Sequence, residues 1–138
     1  MNEHILVIGG GSIGERHLRN FLRHPGIRCS LAEPDTARRD LLQREYRLHS
    51  THADWETIGL AGIDGVVICT PTDLHVPMLS KLAGAETSIL CEKPLAMSLD
   101  GLDELNTKLA GQDVSLIAKW LHEVHWNSLQ RPSRIHWG

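Results

Sequence analysis

The run Gly9-Gly-Gly11-Ser12-Ile13-Gly14 is entered from the apolar segment His4-Ile-Leu-Val-Ile and left through residues of helical spacing. This arrangement suits the binding of a dinucleotide diphosphate. Gly9 allows a tight exit from a strand, Gly11 lets the backbone approach a pyrophosphate, and Gly14 lets the following helix pack closely on the sheet. Amides of the first helical turn, at Ser12, Ile13 and Gly14, then point at the anion, aided by the positive end of the helix macrodipole and with no lysine required. A glycine-rich turn also serves as a plain strand-to-helix connector, so the surroundings must decide. Glu33 supplies the second signal: it closes the apparent strand Ile27-Arg-Cys-Ser-Leu-Ala-Glu33 about twenty positions beyond the glycines, where a carboxylate accepts both ribose hydroxyls. It repels a 2′-phosphate and so favours NAD over NADP, although Arg38 or Arg39 nearby offers that phosphate a receptor, and Glu33 also suits a simple turn opening Glu33-Pro-Asp-Thr.

The elements that must position these groups alternate along the chain. Ser12 to about His24 has Ile13, His17, Leu18, Phe21 and Leu22 at helical spacing, with Pro25-Gly26 as the stop. Thr36 to Tyr46 reads as a second helix with Ala37, Leu41, Leu42 and Tyr46 toward the core, followed by a short strand at Arg47 to Ser50 and a helical turn or two at Asp54 to Leu60. Asp64-Gly-Val-Val-Ile-Cys69 is the clearest buried strand, since a continuous apolar run fits a parallel strand covered on both faces. Asp73 to Gly84 reads as a helix, Thr87 to Glu92 as a strand, Ser98 to Ala110 as a helix with Leu99, Leu102, Leu105 and Leu109 inward, and Val114 to Ala118 as a sixth strand. Right-handed crossovers restrict such alternation to few topologies. The expected class is α/β, a doubly wound parallel (Rossmann) sheet of order 3-2-1-4-5-6 with ligand across the carboxyl ends of strands one and four.

A chain of 138 residues suits one domain. A net charge of −3 without a basic stripe argues against nucleic acid. The N-terminus enters a strand at once, without a cationic segment or long apolar run, so neither secretion nor a membrane span is expected and the cytoplasm is the default. Cys29, Cys69 and Cys91 fall in or at the ends of apolar runs and read as reduced core thiols, with Cys69 bordering the cofactor cleft; no metal-ligand spacing accompanies them.

Two further segments end strands on the same edge: Cys69-Thr70-Pro71-Thr72-Asp-Leu-His75 and Cys91-Glu92-Lys93-Pro94-Leu-Ala96. With the glycine loop, and in this order, they resemble the Gfo/Idh/MocA oxidoreductases over residues 1 to about 118. The resemblance implies a two-domain enzyme moving hydride between a nicotinamide and a sugar or polyol. Thr70, Pro71 and Thr72 would line the cofactor cleft, with Thr72 or Asp73 also suited to cap the next helix. His75 would lie one turn inside that helix as a packing or orienting residue. Lys93 would place its ammonium at the nicotinamide and the substrate oxygen, stabilising charge at the reacting atom, with Glu92 anchoring the loop and the nicotinamide ribose and Pro94 following a cis peptide. A solvated loop lysine is the plain alternative for Lys93.

Beyond residue 118 the resemblance implies a Gly-Tyr, an Arg-Phe and a long α/β domain with the substrate pocket and an Asp/His acid-base pair. The chain instead reads Lys119-Trp-Leu-His-Glu-Val-His-Trp through to Gly138, dense in Trp and His and without helical or strand period. The expectation is an atypical tail at 119–138 from an altered reading frame or truncated gene; His122 and His125 as metal ligands are the rival reading, weakened because Trp126 breaks the zincin pattern. The function expected is the NAD(P)-binding portion of an oxidoreductase, without turnover by itself and open to self-association through an exposed interdomain face. The alternatives are a non-catalytic nucleotide-sensing module and a cradle for another adenosine ligand such as S-adenosylmethionine, the latter disfavoured by Glu92 and Lys93.

Overall fold

The computed structural model describes residues 2–110 and the strands at 114–116 and 135–137. Two compact units divide the chain at Thr70 and Pro71, inside the span expected to form a single dinucleotide-binding region.

In the first unit, β1 (Glu3–Ile8) is buried from His4 onward, as a strand covered on both faces must be. It pairs in parallel with β2 (Ile27–Ala32) on one side and β4 (Gly65–Ile68) on the other, and β2 pairs with β3 (Ser50–His52). The order is therefore β3-β2-β1-β4, with its reversal between β1 and β4, where open α/β sheets leave a crevice. Ile8 stands opposite Ala32 and Ile68, so three carboxyl ends finish level. The ladder continues one residue further on each: Gly9 N–H donates to the Ala32 carbonyl (2.9 Å), Cys69 N–H to Ile8 (2.8 Å) and Glu33 N–H to His52 (2.9 Å). Leu6, Val7, Leu31 and Ile68 from the sheet, Leu18 from α1 (Ser12–Phe21) and Leu42 from α2 (Thr36–Tyr46) are fully buried. Each such side chain contributes roughly 1.5–3 kcal/mol by leaving water.

Several expected boundaries and faces move. Helix α1 stops at Phe21 rather than His24, because tightening turns follow it: Arg23 N–H bonds the Asn20 carbonyl and His24 N–H bonds Phe21. Only Leu42 of the four core candidates on α2 is buried; Ala37 and Leu41 are exposed and Tyr46 is intermediate. The third strand begins at Ser50, where the sequence suggested an end. Arg47 adopts φ 50° and closes α2 through its N–H on the Gln43 carbonyl, so extended backbone starts only after Leu48 has turned into the core. Asp54 caps a single 3-10 turn, Trp55–Thr57, in place of a longer helix.

In the second unit a 3-10 turn, Thr72–Leu74, precedes α3 (His75–Leu82), followed by β5 (Ser88–Cys91) and α4 (Leu102–Lys108). β5 pairs in parallel with β6 (Val114–Leu116), giving the expected neighbours five and six. A further strand, β7 (Ile135–Trp137), lies parallel beside β6, in a tail whose sequence shows no strand period. His122, His125 and the rest of residues 117–134 lie outside the described residues. Helix α4 is shorter than the leucine spacing suggested: Gly101 takes φ 76° at its start, leaving Leu99 outside the helix and 62% exposed, Leu102 intermediate, and Leu105 and Leu109 buried. Cys29 and Cys91 are buried, Cys69 is intermediate, and none of the three is joined in a disulfide. Burial alone pushes the Cys29 thiol up to about 11, which keeps it unreactive. No helix among the described residues is long and apolar enough to cross a membrane.

A polar chain crosses the first sheet. His4 Nε2 lies 2.7 Å from Ser30 Oγ, Ser30 Oγ lies 2.8 Å from Ser50 Oγ, and Ser50 Oγ lies 3.0 Å from His52 Nε2. His49 meets the His4 ring edge-on at 4.9 Å. Burial, then the charges of Arg28 and His49, hold His4 below the usual imidazole range, against an opposing pull from Asp64. The folded His4 therefore binds a proton less readily than the unfolded one. Stability should fall as pH drops from about 6.5 toward the lowered native value and level off below it. Thermal melts between pH 5 and 7 should show a wild-type-minus-His4→Gln stability difference that grows with pH; a difference independent of pH would refute this account of His4.

Candidate functional site

The glycine loop connects β1 to α1 in a geometry that admits no side chain at two of its positions. Gly9 has φ 100°, and a Cβ there would lie 2.6 Å from the Cys69 carbonyl oxygen. A Cβ on Gly14 would be driven into the Gly9 carbonyl oxygen, so the amino end of α1 closes down onto the end of β1 as the sequence pattern requires. Gly11 differs: its φ of −69° suits any residue, and a Cβ there would meet nothing within 4 Å. The space above Gly11 is therefore open. Gly11 is the N-cap of α1 and offers no side-chain cap, leaving the first-turn amides to a partner other than a capping side chain. Ser12 and Ile13 are exposed beside it, Ile13 at 38%.

Glu33 follows β2 directly. Its side chain leans over Gly10, whose Cβ position lies 3.3 Å from Glu33 Cγ and 3.4 Å from Oε1. Its other oxygen accepts a long bond, 3.4 Å, from Asp35 N–H. Arg39 holds the turn by donating to the carbonyls of Glu33 (2.6 Å) and Pro34 (3.3 Å). Arg38 reaches back from α2: Nε donates to the Gly10 carbonyl at 2.6 Å, and a terminal nitrogen donates to Glu15 Oε2 at 2.5 Å. Tyr46 donates to the other Glu15 oxygen at 2.8 Å. Tyr46 first, then Arg38, hold the Glu15 carboxyl below the usual carboxylate range, and Glu15 in turn raises the Tyr46 phenol. Thr70, half-buried, and Cys69 end β4 beneath the loop, with Cys69 Cβ 3.6 Å from the Gly14 Cβ position.

These features fit a dinucleotide by its adenosine and diphosphate. The space over Gly11 would admit an anion at the uncapped amino end of α1, and the Glu33 carboxylate stands beside the loop where a ribose would lie. Sequence reasoning placed Gly9, Gly11, Ser12, Ile13, Gly14, Glu33, Arg38 and Thr70 here, and all lie in the first unit. It missed Glu15 and the part played by Tyr46. Glu15 carried a readable signal: an acidic residue in the first turn of a helix expected to receive an anion calls for a counter-charge.

The second unit carries the remaining candidates. Pro71 is exposed and Thr72 begins the 3-10 turn, closed by Leu74 N–H on the Pro71 carbonyl at 3.0 Å. Neither Thr72 nor Asp73 caps a helix: the N-cap positions of the turn and of α3 are Pro71 and Leu74, without side-chain bonds. His75 is buried at the start of α3, and Nδ1 lies 2.9 Å from the Pro94 carbonyl; because a carbonyl only accepts, Nδ1 carries the proton. His75 thus ties α3 to the turn after β5, where Lys93-Pro94 is a cis peptide. Lys93 is exposed, and its own N–H donates to Glu92 Oε2 at 3.3 Å. Among the described residues its ammonium enters no ion pair.

Residues 4–119 match the Gfo/Idh/MocA family, described as an oxidoreductase family with an NAD-binding Rossmann fold. The chain is 33% identical over 115 residues to the uncharacterized oxidoreductase YrbE of Bacillus subtilis, covering 80% of this chain and 33% of that protein. It is 34% identical over 97 residues to scyllo-inositol 2-dehydrogenase (NAD(+)) of the same organism, covering 68% and 28%. A levoglucosan dehydrogenase solved with NADH and levoglucosan superposes with a TM-score of 0.70 at 26% identity, covering 78% of this chain and 32% of that one. The chain spans about a third of the length of the relatives it matches.

The glycine geometry separates packing from binding. Gly14→Ala should cost more than about 2 kcal/mol, since the clash is with backbone. Gly11→Ala should stay within about 1 kcal/mol of wild type. Urea denaturation of the two variants checks this, and equal losses would contradict the assigned geometry.

Proposed function

Because the chain belongs to the Gfo/Idh/MocA oxidoreductase family, with residues 4–119 as its NAD-binding Rossmann domain, we propose that it holds NAD as the cofactor half of a sugar or polyol dehydrogenase. The observation that carries this reading is the open, uncapped amino end of α1 at Gly11 beside the Glu33 carboxylate. The amides of Ser12, Ile13 and Gly14 bind the diphosphate, and Glu33 accepts the adenosine ribose hydroxyls. NAD is favoured over NADP because Glu33 repels a 2′-phosphate and because Arg38 and Arg39 already spend donors on the loop and turn.

In the second unit, Pro71 and Thr72 contribute to the cofactor cleft, and Glu92 to the nicotinamide ribose. His75 is a positioning residue, since its ring is buried and committed to the Pro94 carbonyl. Lys93 is the residue assigned to chemistry: an exposed ammonium on a held turn can stabilise charge developing on a substrate oxygen. When bound, the nicotinamide supplies or accepts the hydride. Transfer also needs the substrate carbon held at contact with the nicotinamide in a water-poor cleft. This stretch supplies the cofactor side, so the 138-residue chain binds cofactor without turning over a polyol. The cytoplasm, with its reduced thiols, is the compartment that suits it. Nucleic acid is not among its partners, given a net charge of −3. Exposed Met97 and Leu99 are where self-association would begin.

NADH titration followed by energy transfer from the tryptophans tests the reading. Wild type should saturate, Gly11→Ala should bind at least about tenfold more weakly while remaining folded, and Glu33→Ala should lose discrimination against NADPH. Absence of binding by folded wild type would overturn the proposal, and steady oxidation of scyllo-inositol or a sugar by the chain alone would overturn the claim of no turnover. Supplying a family substrate domain separates an enzyme half, which gains activity, from a sensing module, which does not.

A further inference from the structure

Glu33 and Arg38 converge on one residue of the glycine loop. The Glu33 carboxylate leans over Gly10, and Arg38 Nε donates to the Gly10 carbonyl at 2.6 Å. A guanidinium beside a ribose-binding carboxylate is by its own chemistry a phosphate receptor, with a planar fork of donors suited to two phosphate oxygens. In this chain that fork is engaged: a terminal nitrogen lies 2.5 Å from Glu15 Oε2, and Tyr46 donates to Oε1 at 2.8 Å, so both carboxylate oxygens are committed and the carboxylate is aimed. Burial is partial for both ions, with Arg38 30% and Glu15 24% exposed at the side chain, which keeps solvent from fully replacing the pair. The Arg38 backbone is pinned as well, its N–H donating to the Asp35 cap at 2.8 Å, so the side chain alone decides where the charge goes.

We propose that Glu15, braced by Tyr46, holds the Arg38 guanidinium on the Gly10 carbonyl and withholds it from a ribose 2′-phosphate, making Glu15 a specificity-determining residue alongside Glu33. The inference rests on the reading that this loop binds a nicotinamide dinucleotide. Glu15 acts through Arg38 and is a positioning residue. It remains ionised at neutral pH because the Tyr46 and Arg38 bonds favour its charged form. In return, Arg38 cancels a carboxylate that stands in the first turn of α1, where it would repel an incoming diphosphate.

The test titrates the full chain with NADH and NADPH, and with ADP and 2′,5′-ADP to confine the effect to the 2′-phosphate. Glu15→Gln should shift the NADPH-to-NADH affinity ratio about tenfold toward NADPH, by freeing a charged donor set. Tyr46→Phe, which keeps the ion pair but loosens the carboxylate, should shift it the same way by about two- to threefold. Adding Arg38→Met to Glu15→Gln should abolish the gain. A purely structural role for Glu15 would weaken both dinucleotides alike, so an unchanged ratio in folded Glu15→Gln overturns the inference, as does a gain that survives Arg38→Met. Wild type that binds NADH while the variants leave the ratio unmoved sinks only this inference; wild type that binds neither dinucleotide sinks the underlying reading and this inference with it.

Discussion

The contact between Gly14 and the Gly9 carbonyl governs the first unit. Hydrogen would be replaced by a carbon only at the cost of pushing the helix away from the strand, and everything proposed for the loop depends on that separation. With α1 seated on the end of β1, the amide-bearing first turn stands above the level carboxyl ends of β1, β2 and β4. Gly9, at φ 100° beneath the Cys69 carbonyl, supplies the turn that makes the approach feasible. The open position at Gly11 is then a consequence of the same packing: the loop is dense underneath and vacant on its outer side.

Charge placement follows from that seating. Closing α1 onto the strand brings Glu15 to the edge of the loop, where a carboxylate at a helix amino end is favourable for the helix and unfavourable for a bound anion. Arg38 resolves the conflict, and in doing so ties the loop, α1 and α2 together through two charge-assisted bonds. Arg39 performs a more local task on the Glu33-Pro34 carbonyls. The second unit uses the same kind of device with a neutral ring: buried His75 donates to the Pro94 carbonyl and fixes the turn that displays Lys93. In each unit a side chain on a helix holds a main-chain carbonyl of the loop expected to do the work.

The α/β class, the parallel order 3-2-1-4 and the neighbours five and six were legible from the apolar runs and the helical spacing between them, as was the glycine loop. These are local properties. An apolar stretch must be buried whatever its neighbour, and a glycine at a steric pinch is required by backbone geometry within a few residues. Faces and ends were less legible. Leu41 and Leu42 are equally apolar, yet only Leu42 is buried. Leu99 continued a leucine spacing that Gly101 interrupts. Arg47 ended a helix with a left-handed turn that its residue type does not favour, which displaced the third strand by three residues from its expected start.

What the sequence by itself determined about this protein is the inventory: a cradle of main-chain amides, a carboxylate about one strand later, and a Glu-Lys-Pro turn, all set by short-range sterics and spacing. The tertiary structure decided which charges meet. Arg38 and Glu15 are separated by 23 positions, and Tyr46 and Glu15 by 31. No periodicity encodes such pairings, because they exist only once two helices have been laid beside one loop. The sequence offered Arg38 or Arg39 as a receptor for a 2′-phosphate; the folded chain gives Arg38 the Gly10 carbonyl and Glu15, since hydrogen-bond donors answer to what lies within about 3 Å, wherever in the chain that atom comes from.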